Sequence, residues 1–517
     1  MEEEKRSMNW GAFLGMSGVV LLASIVICIV YARMHPEWSA FSKGFFTVLA
    51  VYLVATGLGV SFFAFRERGK LENLFFFTAL AIGFLYIFIL PPNTAPDEQA
   101  HFTAAYADAD VILGAESKKP FTFQMRVEDL TYASALFPMD PTEATYQNLT
   151  ALLKDPFTSG DALSYTTVDE MITPSVPNGY FPQTVGILLG RIFHFSFIYM
   201  YILGRFMNLL CFALLLRFAI KLTPIGKGTF AVIGLFPMCM ELAASYSYDA
   251  VIIGTAFLAV AYWLYLYMRP EQVHLAELAL LFFLLVFFIP IKAVYVPFLI
   301  LTLFLPARVF IDGKQRAIYY VSISVLILAV VAFVAYINIA PITRSGNAPV
   351  AERTDADLIT VSDFFAAPLE FFRYLIAVPG EIYEFYYLTM IGGALGPLTI
   401  GIGYTLINLY CLTAAVGAVR RIEAPAIGGS KRTLFVLIIV GVYVLTLFIF
   451  YITWTPVGAA YIQGIQGRYF LPVLPLLAIS LFSYKKLSRK WITDKHLLVF
   501  AYLLQCVTVL QIFSLIV

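Results

Sequence analysis

The chain has 517 residues, 60% of them apolar and only 13% charged, with 34 Lys and Arg against 33 Asp and Glu and a formal net charge of +1. A soluble chain of this length cannot cover its surface with so few polar groups, so the composition describes a polytopic membrane protein. The near-zero charge excludes a strongly basic nucleic-acid binder. Cys28, Cys211, Cys239, Cys411 and Cys506 all lie in apolar runs without a CxxC pair, and read as small hydrophobes, neither disulfides nor metal ligands.

In chain order, the apolar runs predict an all-α polytopic bundle of about 13 transmembrane helices (11–14), at roughly 20 residues per span. They centre near residues 21, 54, 81, 210, 238, 258, 282, 300, 328, 408, 443, 477 and 506. The first, about Trp10 to Tyr31, is long enough to span and is followed by no convincing small-residue cleavage site, so it does not read as a cleavable signal. With the N-terminus inside, the cytoplasmic loops carry Lys5/Arg6, Arg66/Arg68/Lys70, Arg217/Lys221/Lys227, Arg269, Arg308/Lys314/Arg316, Arg420/Arg421/Lys431/Arg432 and Lys485/Lys486/Arg489/Lys490/Lys495. These are about 21 of the 34 basic residues, the distribution the positive-inside rule requires.

That orientation places two long excursions outside, residues 91 to 198, rich in Asp and Glu, and residues 340 to 394. Both are too long for simple connections and too aromatic for disorder, so they are expected to fold against the bundle. Phe181 to Phe195, interrupted by Arg191 and His194, is expected to lie at the membrane interface. Leu369 to Leu388 carries the aromatics and charges of a segment at headgroup level. Pro290-Ile291-Lys292 separates the runs near 282 and 300 as an abrupt hairpin or a broken helix. No internal repeat supports a transporter built from inverted halves.

Ionisable groups near hydrocarbon cost several kcal/mol unless they are paired or open to a watery cavity, so the exceptions are candidate sites. Pro96-Asp97-Glu98, followed by His101, closes the third span on the outside. Thr94 as N-cap, Pro96 in the first turn and Asp97 completing a capping box would make it an ordinary helix start; the alternative is a pair of carboxylates placed for chemistry. Glu241 and Asp249 flank the next outer turn, Lys292 occupies the one after, and Arg205 and Arg468 begin the fourth and twelfth spans. Cations and carboxylates on one face suit a phosphate held beside a general base. The structural alternatives are a snorkelling Arg205 and pairing of Glu241 or Asp249 with Arg205 or Lys292. His101, one turn from Asp97 and Glu98, either completes a metal site with them, for Mg or Mn, or belongs to an ordinary charged face. Gln466-Gly467-Arg468-Tyr469 presents a guanidinium beside flexible backbone, suited to bidentate phosphate binding. There is no P-loop, no GxGxxG after a strand and no HExxH, so any high-energy bond arrives with the substrate. On the outer face the natural carrier for it is a lipid.

PPNTAPDEQAHF, NGYFPQTVGILLGR, RFMNLL, SYSYDA, PIKAVYVP and QGRYFLPVLP, in that order, resemble the bacterial membrane-protein family known as domain of unknown function 2142. That family looks like a branch of the GT-C glycosyltransferase superfamily. The resemblance covers roughly residues 73 to 485. It leaves 1–72 as an N-terminal two-helix addition and 486–517 as a C-terminal transmembrane helix. It implies a GT-C-like core in the bacterial plasma membrane that moves a sugar from a polyprenyl-phosphate-linked donor to an extracytoplasmic acceptor glycan or cell-envelope polymer. The catalytic carboxylate falls on Asp97, with Glu98 beside it, although many GT-C members carry the acidic motif after the first span and this chain after the third. Arg468, Lys292 and Arg205 are then the expected holders of the donor phosphate. His101, Tyr180, Glu241, Asp249, Gln466 and Tyr469 are the expected lining of the acceptor pocket. No cofactor is firmly expected. The competing readings are a flippase or transporter of a lipid-linked glycan, and a polymerase or ligase using a polyprenyl-diphosphate oligosaccharide.

Overall fold

A computed structural model describes residues 10–65, 69–114, 122–135, 137–158, 160, 162–167, 176–345, 358–376, 378–419, 427–481 and 492–517. The basic clusters Lys5/Arg6, Arg66/Arg68, Arg420/Arg421 and Lys485/Lys486/Arg489/Lys490, on which the orientation largely rests, lie outside the described residues.

The chain opens with α1 (Trp10–Met34), α2 (Ala40–Phe65) and α3 (Leu71–Ile89). A compact insertion follows, made of α4 (Glu98–Ile112), strand β1 (Thr122–Arg126), α5 (Val127–Ala135), α6 (Glu143–Leu152), strand β2 (Leu163–Thr167) and α7 (Phe181–Ile192). The bundle resumes with α8 (Phe197–Leu222), α9 (Lys227–Gly234), α10 (Pro237–Ala243), α11 (Asp249–Met268), α12 (Leu275–Phe288) and α13 (Gly313–Ser345). Short helices α14 (Val361–Ala366), α15 (Pro368–Ile376) and α16 (Gly380–Ile391) precede a small hairpin of two-residue strands, β3 (Ala394–Leu395) with β4 (Ile400–Gly401). The chain ends with α17 (Tyr404–Val419), α18 (Gly429–Thr453), α19 (Leu474–Leu481) and α20 (Asp494–Ile516).

Among the described residues, eight helices are long and apolar enough to cross a membrane: α1, α2, α3, α8, α11, α13, α18 and α20. The other five expected spans are short or broken. The run near 238 is cut at Pro237 into α9 and α10. The run near 282 is a 14-residue helix ending in a 3-10 turn, and that near 300 is an 11-residue 3-10 stretch, Ala293–Leu303, containing Pro297. The run near 408 is 16 residues long, and that near 477 begins as a 3-10 turn containing Pro472. Proline removes a donor and clashes with the preceding turn. Irregular backbone at membrane depth persists only where protein covers it, and Pro297, Phe298, Leu299 and Leu301 are buried.

The amino-terminal pair and the last helix share one apolar core with the rest of the bundle. Tyr502 Oη donates to the Leu53 carbonyl at 2.5 Å. Gln505 accepts from Tyr86 Oη at 2.9 Å and donates to the Leu235 carbonyl at 2.6 Å. At the centre, Asn208 of α8 donates to the carbonyls of Leu242, Ser245 and Ser247 at 2.8–3.1 Å, which fixes the turn between α10 and α11.

The first excursion folds against the bundle as expected, around a second core that includes Phe102, Tyr106, Phe123, Met125, Phe197 and Tyr246. β1 and β2 pair antiparallel with Gln124 opposite Tyr165. Arg126 and Asp129 form a buried bidentate pair at 2.7 and 3.0 Å, and Arg126 Nη1 donates to the Phe195 carbonyl at 3.0 Å, which ties this insertion to the start of α8. α7 has two faces. Gln183, Gly186, Ile187 and Gly190 are buried, whereas Phe181, Ile192 and Phe193 are exposed. A Cβ on Gly186 would lie 2.5 Å from Gly204 Cα, so the glycine is what lets α7 and α8 approach this closely. The Leu369–Leu388 segment is two helices broken at Pro379. Phe371 and Tyr374 turn inward against Phe448 and Tyr451, and Leu369, Phe372 and Ile376 are left exposed.

Candidate anion and carboxylate site

The chain leaves α3 at Leu90 through Pro91 and Pro92 and re-enters helix at Glu98. Asp97 stands at the N-cap position with φ +58° and its side chain makes no capping bond. The expected cap of Thr94, with Asp97 completing the box, therefore does not form, and Thr94 Oγ1 is buried without a partner among the described residues. Asp is one of the few residues that tolerates this left-handed conformation. The reversal sends neighbouring carboxylates in opposite directions: Asp97 stays about half exposed, while Glu98 is buried.

Glu98 meets Arg205 of α8. Arg205 Nε donates to Glu98 Oε1 at 2.8 Å and Nη2 to Oε2 at 2.5 Å. The remaining guanidinium protons go to the carbonyls of Ile87, Leu90 and Pro91 at 3.0, 2.5 and 2.9 Å, and Tyr246 N donates to Glu98 Oε1 at 3.1 Å. All five Arg205 donors are thus occupied. This arrangement ties the end of α3 to α8 and α4, and leaves Arg205 no donor for a phosphate and Glu98 no free position as a base. Sequence reasoning placed both in the reactive set; their geometry is that of a structural clamp.

Arg468 has the opposite character. Gly467 precedes it because a Cβ there would collide with the Tyr386 carbonyl, while its amide donates to Thr389 Oγ1 at 2.7 Å. The guanidinium is 4% exposed, and its Nε and Nη1 are buried without a hydrogen-bond partner among the described residues. Nη2 lies 3.5 Å from Asp97 Oδ2 and Nε 3.7 Å from Asp249 Oδ2, distances of ion pairs without a direct hydrogen bond. Asp249, in the first turn of α11 where the helix dipole favours an anion, holds Lys292 Nζ at 2.6 Å through its other oxygen. Lys292 sits between the rings of Tyr248 and Tyr469, 4.9 and 4.3 Å from their centroids. The pairing of Asp249 with Lys292, raised from the sequence as the structural alternative, is present, and Asp249 also faces Arg468.

His101 lies on the next turn of α4 from Asp97, with Nδ1 2.7 Å from Tyr180 Oη and its ring edge-on to Tyr248 at 5.1 Å. Burial, reinforced by nearby Arg468, lowers its pKa from 6.5 to about 3, so it is neutral near pH 7. Asp97, Glu98 and His101 therefore face three different partners. Among the described residues no group of three or more His, Cys, Asp and Glu side chains converges as a metal set, and Asp97, Glu98 and His101, the set weighed as a minor alternative for Mg or Mn, are not gathered around one point.

Of the remaining expected residues, Tyr180 and Tyr469 belong to this cluster. Gln466, two residues before Arg468, has a buried Oε1 without a partner among the described residues. Glu241 instead accepts from the Gly396 amide at 2.7 Å, which ties α10 to the β3–β4 hairpin, and its Oε2 is buried and unpartnered among the described residues. Tyr248, inside SYSYDA, and Tyr295, whose Oη donates to the Tyr469 carbonyl at 2.9 Å, were not singled out from sequence. The signal for Tyr248 was its position immediately before a membrane carboxylate.

The cluster gathers at one end of the bundle, where α3 ends and α8 and α11 begin. It offers a half-exposed carboxylate within 4 Å of a buried cation with unfilled donors. No curated protein and no solved structure matches the chain. The sequence model of the family described as predicted membrane protein, DUF2142, matches residues 80–477, from the middle of α3 to α19 and including every residue of the cluster, and the chain belongs to that family.

Proposed function

We propose that this protein is an integral membrane glycosyltransferase of the GT-C type, which transfers a sugar from a polyprenyl-phosphate-linked donor to an acceptor hydroxyl on the extracytoplasmic side. The observation that carries the reading is the juxtaposition of half-exposed Asp97 with Arg468, buried yet short of hydrogen-bond acceptors. An unfilled buried guanidinium is costly unless an anion completes it, and a phosphate does so well.

In the proposed reaction Asp97 accepts the proton of the acceptor hydroxyl while that oxygen bonds to the anomeric carbon. The bond from the anomeric carbon to the phosphate oxygen breaks, and its electron pair leaves with the lipid phosphate toward Arg468 and Lys292. One displacement inverts the anomeric centre and needs no covalent enzyme intermediate. Neutral His101 and Tyr180 supply hydrogen-bonding groups beside the acceptor path. A flippase would require cationic stations through the depth of the bundle, whereas Asp97, Asp249, Lys292 and Arg468 sit together at one end.

The test is transfer by the purified protein from polyprenyl-phosphate sugars to an acceptor glycan. Asp97→Asn and Arg468→Ala are each expected to lower the rate by about 10²- to 10³-fold; normal transfer by both variants would sink the assignment.

A further inference from the structure

We infer that Tyr180 holds His101 as the tautomer with its proton on Nε2, so that a neutral N–H beside Arg468 donates to the oxygen that takes up the leaving charge. This rests on the transfer reading above and fixes the direction in which His101 donates. His101 is then a catalytic residue and Tyr180 a positioning one.

Hydrogen accounting sets the tautomer. His101 Nδ1 and Tyr180 Oη are 2.7 Å apart, and both side chains are buried. A neutral imidazole and a phenol each bring one polar hydrogen to the pair. If Nδ1 carried its hydrogen and donated, the phenol hydrogen would have no acceptor, because Tyr180 Oη has no other hydrogen-bond partner among the described residues. Leaving a buried hydroxyl unmet is costly. If the phenol donates, Nδ1 accepts, both atoms of the contact are satisfied, and the imidazole hydrogen sits on Nε2. That nitrogen makes no hydrogen bond among the described residues.

The surroundings give this N–H a direction. The charged groups that act on the imidazole are Arg468, Asp249 and Lys292, the anion-holding half of the cluster. The Tyr248 ring joins the two parts: His101 meets it edge-on at 5.1 Å, and Lys292 Nζ lies 4.9 Å from its centroid. Asp249 is already engaged, with Oδ1 on Lys292 at 2.6 Å and Oδ2 3.7 Å from Arg468. The unfilled donors here are therefore Arg468 Nε and Nη1 together with His101 Nε2. Three donors from two side chains suit the oxygens of one phosphoryl group, and the imidazole adds a hydrogen bond without adding a charge.

The same surroundings exclude proton transfer by His101. Burial and nearby Arg468 hold its pKa at about 3, too low for a base toward a hydroxyl and too low to keep a second proton near neutral pH. A neutral imidazole can still act as a hydrogen-bond donor to developing charge. As the acceptor oxygen bonds to the anomeric carbon, its proton passes to Asp97. The bond from that carbon to the phosphate oxygen breaks, and the electron pair leaves with the phosphate. The Nε2 proton stays on His101 throughout, and its hydrogen bond strengthens as the leaving oxygen gains charge.

The test uses the full chain in nanodiscs with its five histidines labelled with nitrogen-15, the His101 signals being those lost in His101→Gln. The one-bond N–H coupling is expected on Nε2 and not on Nδ1, unchanged between about pH 5 and pH 8. Tyr180→Phe is expected to divide the signal between the two tautomers. Adding a short-chain polyprenyl phosphate is expected to shift the Nε2 resonance, a readout that needs no sugar transfer. In the transfer assay, His101→Ala is expected to lower kcat about 10²-fold with the acceptor KM changed less than about twofold. His101→Gln, whose amide can donate in place of Nε2, is expected to return kcat to within about tenfold of wild type. A wild-type proton on Nδ1, no shift with polyprenyl phosphate, or wild-type kcat in His101→Ala overturns the inference while leaving sugar transfer intact. The expected spectra in a protein that transfers no sugar overturn the transfer reading and the catalytic role with it. If Tyr180→Phe or His101→Ala does not fold, the wild-type spectra with and without polyprenyl phosphate decide.

Discussion

At the scale of single residues, the decisive feature is the left-handed backbone at Asp97. PDE..H was legible as a candidate site because carboxylates at a membrane boundary are costly, but the sequence carries no sign that adjacent carboxylates diverge. A φ of +58° at Asp97 turns Glu98 into the clamp with Arg205 and leaves Asp97 facing Arg468. Arg468→Lys tests whether a point charge suffices there. It is expected to recover less than a tenth of the transfer rate, because an ammonium lacks the planar fork, and the rate against wild type at matched protein content checks this. A second residue-scale prediction concerns Asp108, two turns beyond His101. Burial raises its carboxyl from 3.8 to about 6. The folded state then holds a proton that the unfolded chain has released, so its contribution to stability falls as pH rises from about 4 to about 6, and the loss is complete above that. Asp108→Asn is expected to stabilise the protein at pH 7.5 by about 1 kcal/mol after allowance for partial solvent screening. Below about pH 4 it should have no effect, and thermal unfolding across that range measures both.

At the scale of elements, the Glu98–Arg205 clamp joins positions 107 residues apart, and no local pattern announces such a pair. RFMNLL was legible only as a cation at a span start, and the clamp's identity depends on how α3, α4 and α8 meet. Removing one partner leaves a buried charge uncompensated, so Glu98→Ala is expected to cost about 3–5 kcal/mol. Exchanging both, Glu98→Met with Arg205→Met, should recover part of that loss. Thermal unfolding of the singles and the pair gives the coupling. If Glu98→Ala were as stable as wild type and merely inactive, the structural assignment would be wrong. Gly186→Ala probes the neighbouring contact: its Cβ meets the Gly204 backbone, and overpacking of this kind is expected to cost about 1–3 kcal/mol, with α7 displaced from α8.

At the scale of the whole molecule, hydrophobic runs located the apolar elements, and among the described residues eight of them form single helices long and apolar enough to span. A run such as 293–303 is apolar throughout, and composition does not reveal that Pro297 makes it a 3-10 stretch covered by neighbours. The convergence of Asp97, Asp249, Lys292 and Arg468 was legible in part, because helix order and a common face bring such positions to one end even when their partners are unknown. Which side of the membrane that end faces is a separate matter, argued from basic residues, and under the proposed transfer it decides the donor. A lipid-linked sugar is required only where soluble sugar nucleotides are absent. Met139, in the insertion that covers α4, and Lys314, at the start of α13, are both exposed. The positive-inside reading puts them on opposite sides. The native cysteines are buried or half-buried, so single cysteines introduced at these positions report cleanly. Met139→Cys is expected to react with a membrane-impermeant maleimide in intact cells, and Lys314→Cys only after permeabilisation. The reverse pattern would place Asp97 and Arg468 at the cytoplasmic face, within reach of soluble nucleotide sugars, and would remove the reason for a lipid-borne donor.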